Sequence, residues 1–284
     1  MKDRAFLGID FGTTGARAMV IDDAGIILAQ SQHDFHGEQS GPMWRTALFE
    51  LISQIPFALR NVIGAISING TSSTVLLCDA SGEPLHAPLM YYDARASSEV
   101  RELKQVAPPD HVAATPASGL AKLMWFSHLP EFSSATGLMH QAGWLAFLLH
   151  GKPGISDYHN ALKSGGNPET LDYPAWIRTL PVAGLLPRIV EPGTEIGPVS
   201  NRISHHFALP RDCMVRAGTT DSIAAFLAAG AFKPGEAVTS LGSTLVLKLL
   251  SEQRVESVQH GIYSHRFGKF WLTGGASNTG GAVL

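Results

Sequence analysis

Asp10-Phe11-Gly12-Thr13-Thr14 places a carboxylate at the end of an apolar run and follows it at once with a turn of small and hydroxyl residues. That order of types suits phosphate. Glycine lets a ligand approach the backbone, and successive amides around such a turn form an anion-binding concavity. A carboxylate at Asp10 suits Mg²⁺ held through water and bridging to phosphate oxygens, and Arg17 adds a cation nearby. An ordinary hairpin, with glycine for positive φ and threonine for turn hydrogen bonds, is the plainer account of an isolated Gly-Thr-Thr. A second turn of the same kind, Gly242-Ser243-Thr244, tips the balance toward phosphate. Neither GxxxxGKS/T nor GxGxxG occurs, which disfavours the Walker and dinucleotide folds.

Two further segments end in polar residues. Gly70-Thr71-Ser72-Ser73 closes an apolar run, where sites in open α/β sheets form, although a hydroxyl bonding its own turn is an equal reading of Ser72. Gly218-Thr219-Thr220-Asp221 precedes a small-residue helix, and Asp221 there is a natural helix cap, a role that contributes ~1 kcal/mol.

These residues need a scaffold that brings strand ends together. Residues 5–9 are apolar, FGTTG supplies a turn and 16–21 resume an extended pattern, which predicts a hairpin. A run at 26–30 makes it a three-strand meander. Pro42 opens a helix with Trp44, Ala47, Leu48, Leu51, Ile52 and Ile55 on one stripe. Strands follow at 62–68 and 74–78, helical patterns dominate 95–151, and 138–149 reads as one buried helix. Glycine and proline density rises over 164–210, so an irregular excursion is expected. After a strand near Val215 and a helix at 222–229, strands at 237–241, 245–250 and 270–273 repeat the opening plan, which suggests a duplicated α/β fold. Two domains are expected, 1–232 and 233–284. The residues after Lys233 are too few to bury a sheet on both faces, so the second domain is expected to be truncated.

Composition narrows the function classes. The 284 residues are 45% hydrophobic and 16% charged, which is ordinary globular composition. A net charge of -3 without a basic run argues against a nucleic-acid partner. Cys78 and Cys213 lie outside any CxxC spacing, so neither a disulfide framework nor a zinc site is indicated and a cytoplasmic setting is expected. No export signal opens the chain, and the longest apolar stretch, 223–232, is too short for a bilayer helix. No membrane partner is expected, and the oligomeric state is left open.

LGIDFGTTGARAMVID, INGTSST, PLMYYDARA, AGTTDSIAAFLAAGA, GEAVTSLGST and TGGASNTGG together resemble the FGGY family of carbohydrate kinases, within the actin, hexokinase and Hsp70 superfold. GTSSTVLLCD, SDYHNALK and TSLGSTLVLKLL are most similar to its D-ribulose kinase branch. The resemblance implies an ATP- and Mg²⁺-dependent kinase acting on a small sugar. It makes Asp221 the general base that accepts the proton of the attacking hydroxyl, and Asp10 the phosphate-hairpin and metal-associated carboxylate. Gly12, Thr13 and Thr14, with Arg17 nearby, form the first phosphate turn. Gly242, Ser243 and Thr244 form the second, while Gly274 and Gly275 fall where the nucleotide is surrounded. Asp10, Thr71, Ser72 and Asp221 are the implied sugar-side residues. Asp93 and Arg95 resemble the family's WxDxR segment, with tyrosine where tryptophan is usual, and a surface ion pair is the plainer reading of the two. His159 and Asn160 carry little weight, as polar loop residues.

The implied activity is phosphorylation of a ketopentose, with D-ribulose first and D-xylulose or another polyol as the alternative. A degenerate module that binds sugar without phosphoryl transfer stays open, because the expected truncation removes nucleotide-side segments. An ATPase of the actin or Hsp70 type is disfavoured by YYDARA and GTTDS.

Overall fold

The computed structural model describes residues 4–241 and 245–277. Gly242, Ser243 and Thr244 lie outside the described residues. The chain divides into two compact units, 1–221 and 222–284.

In the first unit, β1 (Ala5–Phe11) and β2 (Gly15–Asp22) form the expected hairpin, and β3 (Ile27–Asp34) completes the meander. Burial along β1 alternates: Ala5, Leu7, Ile9 and Phe11 face the core, so Asp10 projects to the opposite face. Register places Arg17 opposite Asp10. Helix α1 (Gly41–Gln54) is capped by Ser40, whose hydroxyl accepts the Met43 N–H at 3.3 Å. It stops where Pro56 holds Ile55 in extended backbone. Its stripe of Trp44, Ala47, Leu48, Leu51 and Ile52 is fully buried, each large side chain contributing ~1.5–3 kcal/mol. The short α2 (Phe57–Arg60) leads to β4 (Ile63–Asn69), parallel to β1 with Asn69 opposite Asp10.

Strand β5 (Val75–Cys78) leaves that sheet and is followed by α3 (Glu99–Val106) and α4 (Gly119–Phe126). It pairs with β6 (Gly137–His140), and α5 (Gln141–His150) follows directly. The single helix expected over 138–149 is therefore a strand and a helix. An unbroken apolar run has no period to separate the two, and pairing of Leu138 with Leu77 decides it. Leu103, Leu120, Leu123 and Phe126 build a second core with Val75 and Leu138. Trp144 of α5 meets Trp44 of α1 with ring centroids 6.3 Å apart, joining both helices to the core of the main sheet.

The 164–210 stretch is more ordered than expected. After β7 (Ile155–Asp157) and α6 (Tyr158–Leu162) come α7 (Ala175–Arg178), β8 (Arg188–Val190), β9 (Glu195–Pro198) and α8 (Asn201–Phe207). Elements so short show no periodicity among glycines and prolines, yet β9 closes the edge of the main sheet. With β10 (Met214–Arg216) the order is β3-β2-β1-β4-β10-β9, and β1, β4 and β10 run parallel. Just beyond β10, a Cβ at Gly218 would meet the Ile68 carbonyl oxygen at 1.8 Å. Helix α9 (Asp221–Ala228) begins at the last residue of the unit.

The turn before α9 is buttressed by α6. The Asp157 carboxylate caps that helix, accepting from the His159 and Asn160 amides and from the Asn160 side chain at 2.6 Å. His159 Nδ1 lies 2.6 Å from the Thr219 hydroxyl. Burial pushes the Asp157 carboxyl up to about 6, against those hydrogen bonds.

In the second unit, β11 (Ala237–Leu241) and β12 (Leu245–Ser251) form the expected antiparallel pair. Strand β13 (Tyr263–Phe267) was not anticipated. It hairpins onto β14 (Phe270–Ser277), the expected third strand, and the order is β11-β12-β14-β13. Ile223, Phe226, Leu250 and Leu272 form the core of this unit.

Gly218→Ala is expected to cost about 1–3 kcal/mol, read as a lower thermal midpoint. An unchanged midpoint would mean that β10 can move away from β4 without penalty. Asp157 gives a pH-dependent expectation. Its carboxyl holds a proton more tightly folded than unfolded, so stability falls as pH rises from 3.8 to about 6. At ~1.4 kcal/mol per unit the loss is on the order of 3 kcal/mol. Asp157→Asn keeps a capping side chain and removes this component. Parallel wild-type and variant stability curves across that window would refute the assignment.

Candidate active site

Strands β1, β4 and β10 end side by side, and their carboxyl ends carry the polar residues. Asn69 Oδ1 accepts the Thr219 N–H at 3.1 Å, and the Gly70 carbonyl accepts the Asp221 N–H at 2.9 Å. These bonds bring the end of β10 onto the end of β4, while register sets Asp10 opposite Asn69. Burial pushes the Asp10 carboxyl up, the Asp221 charge pushes it further, and Arg17 pulls it down. The two carboxylates therefore share one field. Asp221 opens α9.

Asp10 Oδ1 is buried without a hydrogen-bond partner among the described residues. Ser73 Oγ, Gln141 Nε2, Asn160 Oδ1 and Thr220 Oγ1 share that condition, and all belong to segments that bond to these strand ends. Native interiors leave few such groups, and of the six among the described residues only Arg60 Nε, on α2, lies outside the segments that meet at this edge.

The 11–15 turn has its carbonyls engaged and two of its amides open. The Gly12 N–H closes on the Gly15 carbonyl at 3.0 Å, Phe35 N–H donates to the Thr14 carbonyl at 2.9 Å, and the Gln39 side chain donates to the Thr13 carbonyl at 2.6 Å. The Thr13 and Thr14 N–H groups donate to nothing among the described residues, and both residues are exposed. Neither Gly12 nor Gly15 has positive φ. A Cβ at Gly15 would strike the His33 carbonyl oxygen at 2.7 Å, whereas one at Gly12 would meet only the Gly15 oxygen, at 3.5 Å. Packing accounts for Gly15 and not for Gly12.

The remaining candidates divide. Ser72 is half-buried, and its hydroxyl bonds to no backbone group among the described residues, so the turn-hydroxyl reading is not what forms. Thr71 is 2% exposed, and its hydroxyl bonds to Thr74 and to Gln141 Oε1, which braces the turn beside Ser72. Asp93 and Arg95 form the ion pair that the plainer reading expected, with Arg95 Nε 2.9 Å from Asp93 Oδ2 and the guanidinium over the Trp125 ring. Although burial raises the Asp93 carboxyl, its bonds from Arg95 hold it below the usual range. The same segment reaches the 11–15 turn, where the Thr13 and Tyr91 hydroxyls are 3.5 Å apart.

His159 and Asn160 are corrected. They are buried in α6 and not solvated on a loop; His159 supports Thr219, and the Asn160 side chain donates to Asp157. Lys163, which motif reading passed over, lies close enough to Asp221 for that charge to oppose the lowering of its pKa by burial. A lone lysine after a five-residue helix leaves no periodic signal. In the second unit Gly274 and Gly275 are strand residues opposite Lys248 and Leu247. A Cβ at Gly274 would meet the Leu247 carbonyl oxygen at 2.0 Å, so sheet packing alone requires that glycine. Both line a polar hollow with Ser222, Lys248, Tyr263 and His265.

Residues 5–228 match the FGGY family of carbohydrate kinases, N-terminal domain. A xylulose kinase of Streptomyces coelicolor is 30% identical over 87% of this chain and 54% of its own length. The chain thus spans about half the length of the curated relatives it matches. Among solved structures, a gluconate kinase from Lactobacillus acidophilus superposes with a TM-score of 0.88 at 20% identity, over 99% of this chain and 61% of that one. A ligand-bound xylulose kinase from the same organism gives 0.86 at 20%, also over 99% and 61%. The fold is therefore the actin/hexokinase-like one that the family resemblance implied, with the duplicated α/β plan that the strand pattern suggested. No helix among the described residues is long and apolar enough to cross a membrane. With its parallel-strand edge, paired carboxylates and amide-lined turn, the chain belongs to the FGGY family of carbohydrate kinases, and residues 5–228 are its N-terminal domain.

Proposed function

We propose that this chain carries the sugar and phosphoryl-transfer half of an ATP-dependent pentulose kinase. The observation that carries the reading is the pair Asp10 and Asp221, delivered from the two strands that flank β4 and sharing one field, beside a turn whose Thr13 and Thr14 N–H groups have no partner among the described residues. Asp221 accepts the proton of the sugar's terminal hydroxyl as its oxygen bonds the γ-phosphorus and the bond to ADP breaks. The Thr13 and Thr14 amides stabilise charge on the transferring group, and Ser72 faces the sugar. Positioning and electrostatics supply most of the rate in such a reaction.

Mg²⁺ suits this site on the chemistry of its donors. Asp10 has a buried oxygen without a partner among the described residues and a carboxylate neighbour that repels it, both relieved by a cation. No group of three or more metal-ligating side chains is present among the described residues. That pattern fits a hard cation bound by one or two carboxylates, water and substrate phosphate. When bound, the ion supplies neutralisation of phosphate charge.

The preferred sugar is D-ribulose, supported by the likeness of SDYHNALK and TSLGSTLVLKLL to that branch. D-xylulose is the second reading, favoured by relatives that bear the name xylulose kinase. The two sugars differ in configuration at one hydroxyl, a difference that a hydrogen-bonding site discriminates and a fold does not.

In a coupled ADP-release assay, kcat/KM is expected to be higher for D-ribulose than for D-xylulose. The reverse order would install the second reading. Asp221→Asn is expected to lower kcat ~10²–10⁴-fold with the thermal midpoint retained. Near-normal turnover in the folded variant would remove Asp221 from the base role.

A further inference from the structure

Lys122, on α4, is completely buried, an unusual place for an ammonium. Its Nζ donates to the Ser73 carbonyl at 2.8 Å and to the Met90 carbonyl at 2.7 Å. These acceptors belong to two of the segments that carry sugar-side candidates in the first unit. Ser73 follows Ser72, and Met90 precedes Tyr91, Tyr92 and the Asp93–Arg95 pair. Ser73 also stands at φ 67, a conformation that a residue with a side chain rarely adopts unless its surroundings hold it.

The two segments are otherwise joined by pairing of Val75 with Leu89 and by the Tyr91 N–H on the Thr74 hydroxyl at 3.0 Å. The lysine adds a tie from below, at the point where the chain is strained. Burial lowers its pKa to about 7, with Asp93 opposing the shift and Lys163 and Arg95 reinforcing it, so the ammonium is held at a cost. Methionine would fill similar volume without removing a charge from water. A costly group retained beneath two recognition segments has its reason in what those segments hold.

We propose that Lys122 is a positioning residue for the sugar, tying the 72–73 turn to the 90–95 segment and so setting the separation of the two polar surfaces that receive it. This rests on the pentulose-kinase reading. The test compares wild type with Lys122→Met in the full protein, by steady-state kinetics and by amide hydrogen exchange. The expected result is a sugar KM raised about tenfold, as for the loss of a hydrogen bond to a charged group, with the ATP KM unchanged. Exchange should quicken at 71–75 and 89–93 and not along β1 and β2. An unchanged sugar KM in the folded variant would overturn the proposal. If wild type phosphorylates no pentulose, the functional reading fails and exchange decides: acceleration confined to the two segments upholds the tie, and any other pattern overturns it. Should Lys122→Met fail to fold, Lys122→Gln, which keeps an N–H donor, is judged by the same readouts.

Discussion

Parallel pairing of β1, β4 and β10 is the constraint on which the site depends. Parallel strands end at the same edge, and the residue after each end is delivered there whatever loop follows. Asp10 arrives from β1, the 70–73 turn from β4, and Asp221 from β10 through two hydrogen bonds, Thr219 N–H to Asn69 and Asp221 N–H to the Gly70 carbonyl. The apolar faces of α1 and α5 hold this geometry from one side. Alternation along β1 then decides that Ile9 and Phe11 serve the core while Asp10 serves the other face.

What gathers at that edge would be poor design for stability alone. Like charges raise one another's proton affinity, and buried polar atoms without partners each forfeit a hydrogen bond. Beneath it, Lys122, Asp157 and His140 are buried ionisable groups whose charged forms are disfavoured by their surroundings. His140 is held between the Ser156 and Ser164 hydroxyls, and Asp157 is saturated by α6 amides. Polar support of this kind costs desolvation, but it orients in a way that hydrocarbon packing does not. The structure concentrates such support under the two turns and under α6, leaving the main sheet core apolar.

Much of this was legible in the residues. The meander, the α1 stripe and the 237–250 hairpin follow from periodicity, because each element is long enough to repeat its pattern. Asp10 stands out because a carboxylate next to a Gly-Thr turn is a local signal, whereas the residues around Asp221 point to a helix cap and only the family resemblance implies its role as base. The boundary between β6 and α5, the order within 164–210 and strand β13 were not legible, since short or uniformly apolar elements take their form from partners distant in sequence. Lys163 and Lys122 were missed for the same reason: their roles lie in which carboxylate or carbonyls the fold brings to them. The bonds of Thr71 to Thr74 and Gln141 were equally hidden, because a hydroxyl beside the candidate Ser72 carries no mark of what it meets in the fold.

Glycines make the division between fold and function most plain. Gly15, Gly218 and Gly274 each have a backbone oxygen within reach of the missing Cβ, so strand packing dictates them. Gly12 has neither a close neighbour nor positive φ. An alanine there would suit the hairpin at least as well, since it restricts the unfolded chain more. On the proposed function, the demand for smallness at Gly12 comes from a phosphate approaching the turn, whose Thr13 and Thr14 N–H groups have no partner among the described residues.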